Sequence, residues 1–227
     1  MISNRKGVLL AADVMQELEQ SLVQPYCGLI DFLIDHPDAA SKGRRKNSPA
    51  VGTEEFIRQG AQIFLSGRSK RRPEPPGTIP DEMVSFILET YFDVPSDELD
   101  DAKRYQLLSM AAENLVGDLL EQYLAPIMES AGWIWCSGAM VKAVDFIKPP
   151  SSSSTHWSLL QVKNRDNSEN SSSAAIRDGT KITKWFRTFS KKPQDNWDAF
   201  PDSHVRSLVS ESEFRTFVRN YFREMKV

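Results

Sequence analysis

The stretch from Val144 to Asn170, VDFIKPPSSSSTHWSLLQVKNRDNSEN, constrains this chain more than any other. A short apolar segment carries Asp145 between Val144 and Phe146. A Pro/Ser loop follows, from Pro149 to Thr155, and then a second apolar segment from Trp157 to Val162 that ends at Lys163. Two short strands joined by such a loop bring Asp145 and Lys163 near each other at one end of a sheet. Beyond Lys163 the chain turns abruptly polar: Asn164, Arg165, Asp166, Asn167, Ser168, Glu169 and Asn170. A carboxylate beside a lysine, next to a dense set of hydrogen-bonding groups, suits metal-assisted hydrolysis of a polyanion.

The segments before this stretch read as helices. Leu9, Leu10, Val14, Leu18 and Leu22 have helical spacing. Thr53 is placed to cap a helix reaching about Leu65, and Asp81 begins another with Met83, Val84, Ile87, Leu88 and Tyr91 on one side. A long helix is expected from about Ala102 to Ser130, with a kink or junction at Pro126 and a stop at Gly132. Gly117 inside it costs about 1 kcal/mol relative to Ala, which a close backbone approach would justify. Trp133–Trp135, Ala139–Phe146 and Trp157–Val162 read as strands, 180–189 as a short amphipathic helix, and Ser210–Met225 as a final helix. Helices, then strands, then helices imply an α/β (α+β) fold, a mixed sheet flanked by helices. Two parts are expected: a helical N-terminal region, 1–80, for dimerisation or clamping DNA, and a core, 81–227, with a recognition segment at 164–190.

Charge is unevenly spread. The chain has a net charge of -3, yet residues 145–227 hold 14 Lys and Arg against 10 Asp and Glu, while 81–129 hold 12 acids and only Lys103 and Arg104 as bases. One part can face a polyanion while another stays solvated. No apolar run reaches the roughly 20 residues of a membrane span. The N-terminus meets Asp13, Glu17 and Glu19 too soon for a signal peptide. Cys27 and Cys136 have no metal or redox spacing and read as reduced packing residues, so a cytoplasmic location is expected.

The site residues resemble the PD-(D/E)XK nuclease superfamily. Asp145 takes the place of its first acid and Gln161-Val162-Lys163 that of its acid–any–lysine strand. The run KNRDNSENSSSAAIRDGTKI resembles the segment after the lysine in type II restriction endonucleases of the SinI/AvaII-type group, and the likeness spans roughly Glu113 to Arg187. Gln161 departs from the pattern, since an amide oxygen can ligate a hard cation but brings no charge. The helix before the strands commonly supplies a Glu, and Glu113 is the first candidate by order, ahead of Glu121. The resemblance implies Mg²⁺ held by Asp145, Glu113, Gln161 and the Val162 carbonyl, with Lys163 positioning the attacking water or stabilising the transition state. It also implies 5′-phosphate ends.

The polar run suits base readout. Arg pairs with guanine, Asn with adenine, and Asp or Glu accepts from cytosine. Residues 164–170 are therefore candidate DNA contacts, and Arg177, Lys181, Lys184 and Arg187 candidate phosphate contacts. Trp185 and Trp197 read as core. The leading expectation is cleavage of double-stranded DNA at a short, near-palindromic site, of the GGWCC or GGNCC kind by resemblance. A homodimer would read it, and a companion methyltransferase would protect the host. The alternatives are another PD-(D/E)XK nuclease, in repair or a mobile element, and a non-catalytic DNA-binding module in which Gln161 marks a decayed site.

Overall fold

The computed structural model describes residues 4–41, 48–79, 81–152, 154–166 and 182–226. Three helices come first: α1 (Asn4–Leu18), α2 (Val23–Asp35) and α3 (Glu54–Ser66). Thr53 caps α3 by accepting the Phe56 N–H at 3.2 Å. Next come α4 (Glu82–Phe92), capped by Asp81, and α5 (Leu99–Ser130), which passes through Pro126 without ending. α5 stops where the sequence predicts. Gly132 takes φ +84°, and Trp133 N–H and Gly132 N–H bond back to the Met128 and Glu129 carbonyls, a Schellman closure.

Four short strands form one mixed sheet in the order β1 (Ile134–Trp135), β2 (Phe146–Lys148), β3 (Ser158–Arg165) and β4 (Ile182–Thr188). β2 is antiparallel to both β1 and β3, whereas β3 and β4 are parallel. The chain ends with a single helical turn, α6 (Ser203–Arg206), and α7 (Glu211–Met225), capped by Ser210. Mixed α/β architecture is thus present as expected. Two local expectations are corrected. Residues 182–188 are a strand and not a helix, because the β-branched and aromatic residues Ile182, Thr183, Trp185, Phe186 and Thr188 fit a pleated surface paired to β3. The strand expected over Ala139–Phe146 shrinks to its last residue and continues to Lys148. Before it lies a 3₁₀ turn at Ser137–Ala139 and an irregular stretch.

Two compact units divide the chain, and not at residue 80. One comprises Met1–Ser69 with Leu120–Val227, the other Lys70–Leu119. Helices α1–α3 share their core with the sheet. Met15, Leu29, Leu33, Ile57 and Phe64 are buried in one cluster with Ile134, Val144, Ile147 and Leu159. Strand side chains alternate between faces, so Leu159 points to that helical core and Val162 to the opposite face. There an aromatic core holds Trp185 and Trp197, their ring centroids 5.0 Å apart, with Phe200 against Trp185 and with Tyr123 and Phe214 against Trp197. Both tryptophans are core, as the sequence suggests. The second unit is described below; α4 carries no buried residue.

Candidate active site

Asp145 immediately precedes β2, where β2 and β3 part. Its N–H donates to the Leu160 carbonyl at 2.9 Å, the last backbone rung of that ladder, and its own carbonyl accepts the Cys136 N–H at 2.8 Å. The next rung is made by the side chain instead: Asp145 Oδ2 accepts the Val162 N–H at 2.7 Å. The main chain before Asp145 is held firmly. Gly138, at φ +75°, lies so close to α3 that a Cβ would stand 2.5 Å from the Ile63 carbonyl, and a Cβ on Gly67 would stand 2.2 Å from Gly138 N. Ser137 Oγ donates to the Phe64 carbonyl at 2.7 Å. Ala139 and Ala143 take φ +53° and +55°, a left-handed conformation that costs a residue with a Cβ roughly 1–2 kcal/mol. Strain of this kind, over-determined by its surroundings, is common where a functional group must be aimed.

Burial pushes the Asp145 carboxyl up to about 6, against the opposing pull of the Val162 N–H and the Lys163 charge. Phe146 pairs with Leu160, so Asp145 falls opposite Gln161 in the same register, and Gln161 pairs across to Lys184 on β4. Gln161 and Lys163, two residues apart, project from one face of β3. Asp145, Gln161 and Lys163 therefore come together, as the sequence predicts for a strand pair.

Gln161 Oε1 is buried and has no hydrogen-bond donor among the described residues. A buried amide oxygen without a partner is uncommon and costs roughly 1–3 kcal/mol. A divalent cation would satisfy it, and would equally compensate the buried Asp145 carboxylate, so the residues present fit a hard cation with oxygen ligands. Among the described residues no group of three or more His, Cys, Asp and Glu side chains stands together.

α5 contributes Glu121 and Glu129 to this unit; Glu129 is paired with Arg68, and Glu121 lies at the end of β1. Its Oε2 accepts the Trp135 Nε1–H at 2.9 Å. Cys136 is buried next to Trp135; burial pushes its thiol well above the ordinary range, and the Asp145 and Glu121 carboxylates push it further. Both carboxylates thus act on one side chain at the end of β1. Glu113 is exposed on the part of α5 that belongs to the second unit. Order along the helix favoured Glu113; the anchoring of Glu121 by Trp135 is a tertiary contact that no spacing reveals.

The recognition candidates divide. Asn164 and Arg187 are bonded to each other: Asn164 Oδ1 accepts from Arg187 Nε at 3.0 Å and Nη2 at 2.8 Å, and Arg187 Nη1 reaches both Glu211 carboxylate oxygens at 2.7 Å. Glu211 also accepts the Trp197 Nε1–H at 3.1 Å, and the guanidinium stacks over Phe214 at 5.1 Å. The geometry gives Arg187 an internal bracing role. Asp166 Oδ1 accepts the Ser190 N–H at 2.7 Å, which holds its carboxyl below the usual range. Arg165 and Lys184 are exposed. Asn167, Ser168, Glu169, Asn170, Arg177 and Lys181 lie outside the described residues.

Comparison with known proteins follows this geometry. The model of the SinI restriction endonuclease family matches residues 8–224. The chain belongs to the SinI restriction endonuclease family. It is accordingly a restriction endonuclease. This member is 50% identical over 213 residues to the type II restriction enzyme Eco47I of Escherichia coli, covering 93% of this chain and 92% of that one. It is 48% identical over 218 residues to the type II restriction enzyme SinI of Salmonella infantis, covering 96% and 94%. No helix among the described residues is long and apolar enough to cross a membrane.

Proposed function

We propose that this chain is a cytoplasmic type II restriction endonuclease that hydrolyses duplex DNA with Mg²⁺ at a short, near-palindromic site. The single observation that carries the metal-dependent reading is the unpartnered buried Gln161 oxygen beside a buried carboxylate. The resemblance of the residues after Lys163 supports a GC-rich site of the GGWCC or GGNCC kind, 5′-phosphate products, two copies acting on the site, and a companion methyltransferase.

Asp145 and Gln161 would hold the cation, with Glu121 a better-placed helix carboxylate than Glu113. The Val162 carbonyl remains a candidate on the same strand. The cation supplies charge neutralisation at the phosphoryl group. Asp145 must be ionised to hold it, so the Val162 N–H and Lys163, which favour the ionised form, prepare the site. Lys163 projects from the Gln161 face and offers a fixed positive charge where negative charge develops on the phosphate oxygens, and a donor to orient the attacking water. Arg165 and Lys184, both exposed, remain candidates for contacts to bases and phosphates. Asn164 and Arg187 serve by fixing the C-terminal end of β3 to that of β4.

Cleavage of a plasmid of known sequence by the wild-type chain and by Asp145→Ala, each with Mg²⁺ and with EDTA, tests the reading. Discrete fragments that need both Mg²⁺ and Asp145 are expected, and sequencing their ends gives the site. Intact plasmid throughout would favour a DNA-binding module with a decayed site. Irregular nicking or degradation from ends would favour another nuclease of the superfamily.

A further inference from the structure

The second unit holds the most unusual surface of the molecule. Thirteen large apolar side chains are exposed among the described residues, and nine of them fall between Met83 and Met110. Tyr91 is 77% exposed, Phe92 62%, and Phe86 and Tyr105 59% each, with Met83 and Leu108 close behind. α4 has eleven residues and buries none of them. An isolated helix shorter than roughly 12–15 residues is marginal in water, so α4 needs a partner to persist. Apolar patches beyond a few hundred Å² on a soluble protein mark interaction sites.

Among the described residues few other exposed apolar side chains stand ready to cover this patch. Outside it, the exposed large apolar residues are Leu9, Ile63, Ile79 and Leu208. The longest segments outside the described residues are KGRRKN and NSENSSSAAIRDGTK, basic or polar, with one isoleucine between them. Nucleic acid is a poor occupant, because residues 70–119 carry 11 acids against 5 bases. What matches an apolar patch of this kind is the same patch on another copy, as in a two-fold, self-complementary interface. Aromatic side chains of roughly 150–250 Å² each, exposed to these fractions, make the nine residues present on the order of 1,000 Å² per copy. A pair would then bury about what a stable interface needs, roughly 1,200–2,000 Å² in total.

We infer that α4 and the first half of α5 are the dimer interface, with the Phe86, Tyr91 and Tyr105 faces of two copies packed against each other. The assignment rests on the two-copy reading above, and it moves assembly from the N-terminal region to residues 82–110. The partner is a second copy of this chain. Mutual burial would stabilise α4.

The mass of the full chain at about 10 μM, measured by light scattering or sedimentation without DNA or metal, tests this independently of cleavage. Twice the 25.7 kDa chain mass is expected. The double variant Phe86→Glu/Tyr91→Glu should run as a single chain. All five tryptophans lie outside the second unit, so tryptophan-monitored unfolding reports the other unit alone and should be unchanged in the variant. If that signal does change, Tyr105→Glu on α5 takes its place, with an expected rise in the dimer Kd of tenfold or more. Leu9→Glu, an exposed apolar position outside the patch, should stay dimeric. A wild-type chain of single mass, a variant set that stays dimeric, or dissociation by Leu9→Glu overturns the assignment. Loss of cleavage with an intact dimer would instead count against the nuclease reading alone.

Discussion

Asp145 Oδ2 takes the Val162 N–H at 2.7 Å, the position at which the β2 backbone would otherwise have served β3. One side chain thus ends a ladder and stands buried at a site where its charge is costly. Because burial raises the folded pKa to about 6, the folded chain holds this proton to higher pH than the unfolded chain does. The ionised form is the destabilising one. Its penalty is absent below the unfolded value, grows from about pH 4 to about pH 6, and is complete above that window, on the order of 3 kcal/mol for a shift of this size.

Asp145→Asn should therefore abolish cleavage while stabilising the protein at pH 8. The amide oxygen still accepts the Val162 N–H, and no charge is buried. In a chain of this size 1 kcal/mol moves Tm by roughly 2–4 °C, so a rise of several degrees is expected at pH 8 and little change near pH 4. Thermal unfolding at the two pH values checks this. An equal Tm shift at both would mean that the burial of charge is not the cause.

Divalent cation binding should weaken as pH falls through about 6, because protonated Asp145 cannot ligate. Mg²⁺ should accordingly raise the Tm more at pH 8 than at pH 5.5. Gln161→Leu should diminish that rise by removing the buried oxygen. Gln161→Glu should tighten Mg²⁺ binding about tenfold but lower the metal-free Tm, since a second buried carboxylate would repel the first. Calorimetric titration measures both. Unaltered affinity in Gln161→Leu would remove this residue from the cation site.

How far the sequence disclosed this site depended on whether the signal was local. Asp145, Gln161 and Lys163 were legible because a strand–loop–strand pattern fixes which residues meet. Thr53, Asp81, Ser210 and Gly132 were legible because caps are written in adjacent residues. The segment 180–189 misled, since apolar residues in so short a run fit a helix as well as a strand, and pairing to β3 decided between them. The contacts of Glu121 with Trp135 and of Arg187 with Glu211 are not legible in the sequence, because they form only through tertiary folding. The role of residues 1–69 was hidden for the same reason: their partner in the core is the sheet.

Arg187 and Lys184 share β4 and were both read as phosphate contacts, yet they should respond in opposite ways. Arg187 is bound by Asn164 and Glu211 and is largely buried. Arg187→Ala removes the donor to the Asn164 oxygen and the bidentate partner of Glu211, which keeps Trp197 and Arg215, and should cost about 3 kcal/mol of stability. Lys184→Ala, at an exposed position, should cost less stability than Arg187→Ala and reduce the salt dependence of DNA binding by about one unit of slope. Denaturant unfolding and binding at several salt concentrations separate the two. A stable Arg187→Ala protein with a reduced salt slope would return Arg187 to the DNA surface.

Gly117 sits inside α5 with a conformational freedom that nothing described there uses. A Cβ built on it meets no described atom within 4 Å, so the close backbone approach that would justify a glycine is absent. Gly117→Ala should stabilise the helix by about 1 kcal/mol, through helix propensity and a less flexible unfolded chain. The gain should appear in denaturant unfolding followed by far-ultraviolet circular dichroism, which reports the helices of both units. If Gly117→Ala instead destabilises the protein or weakens its self-association, a second chain must approach α5 at this point. The interface on α4 and α5 would then extend to include Gly117.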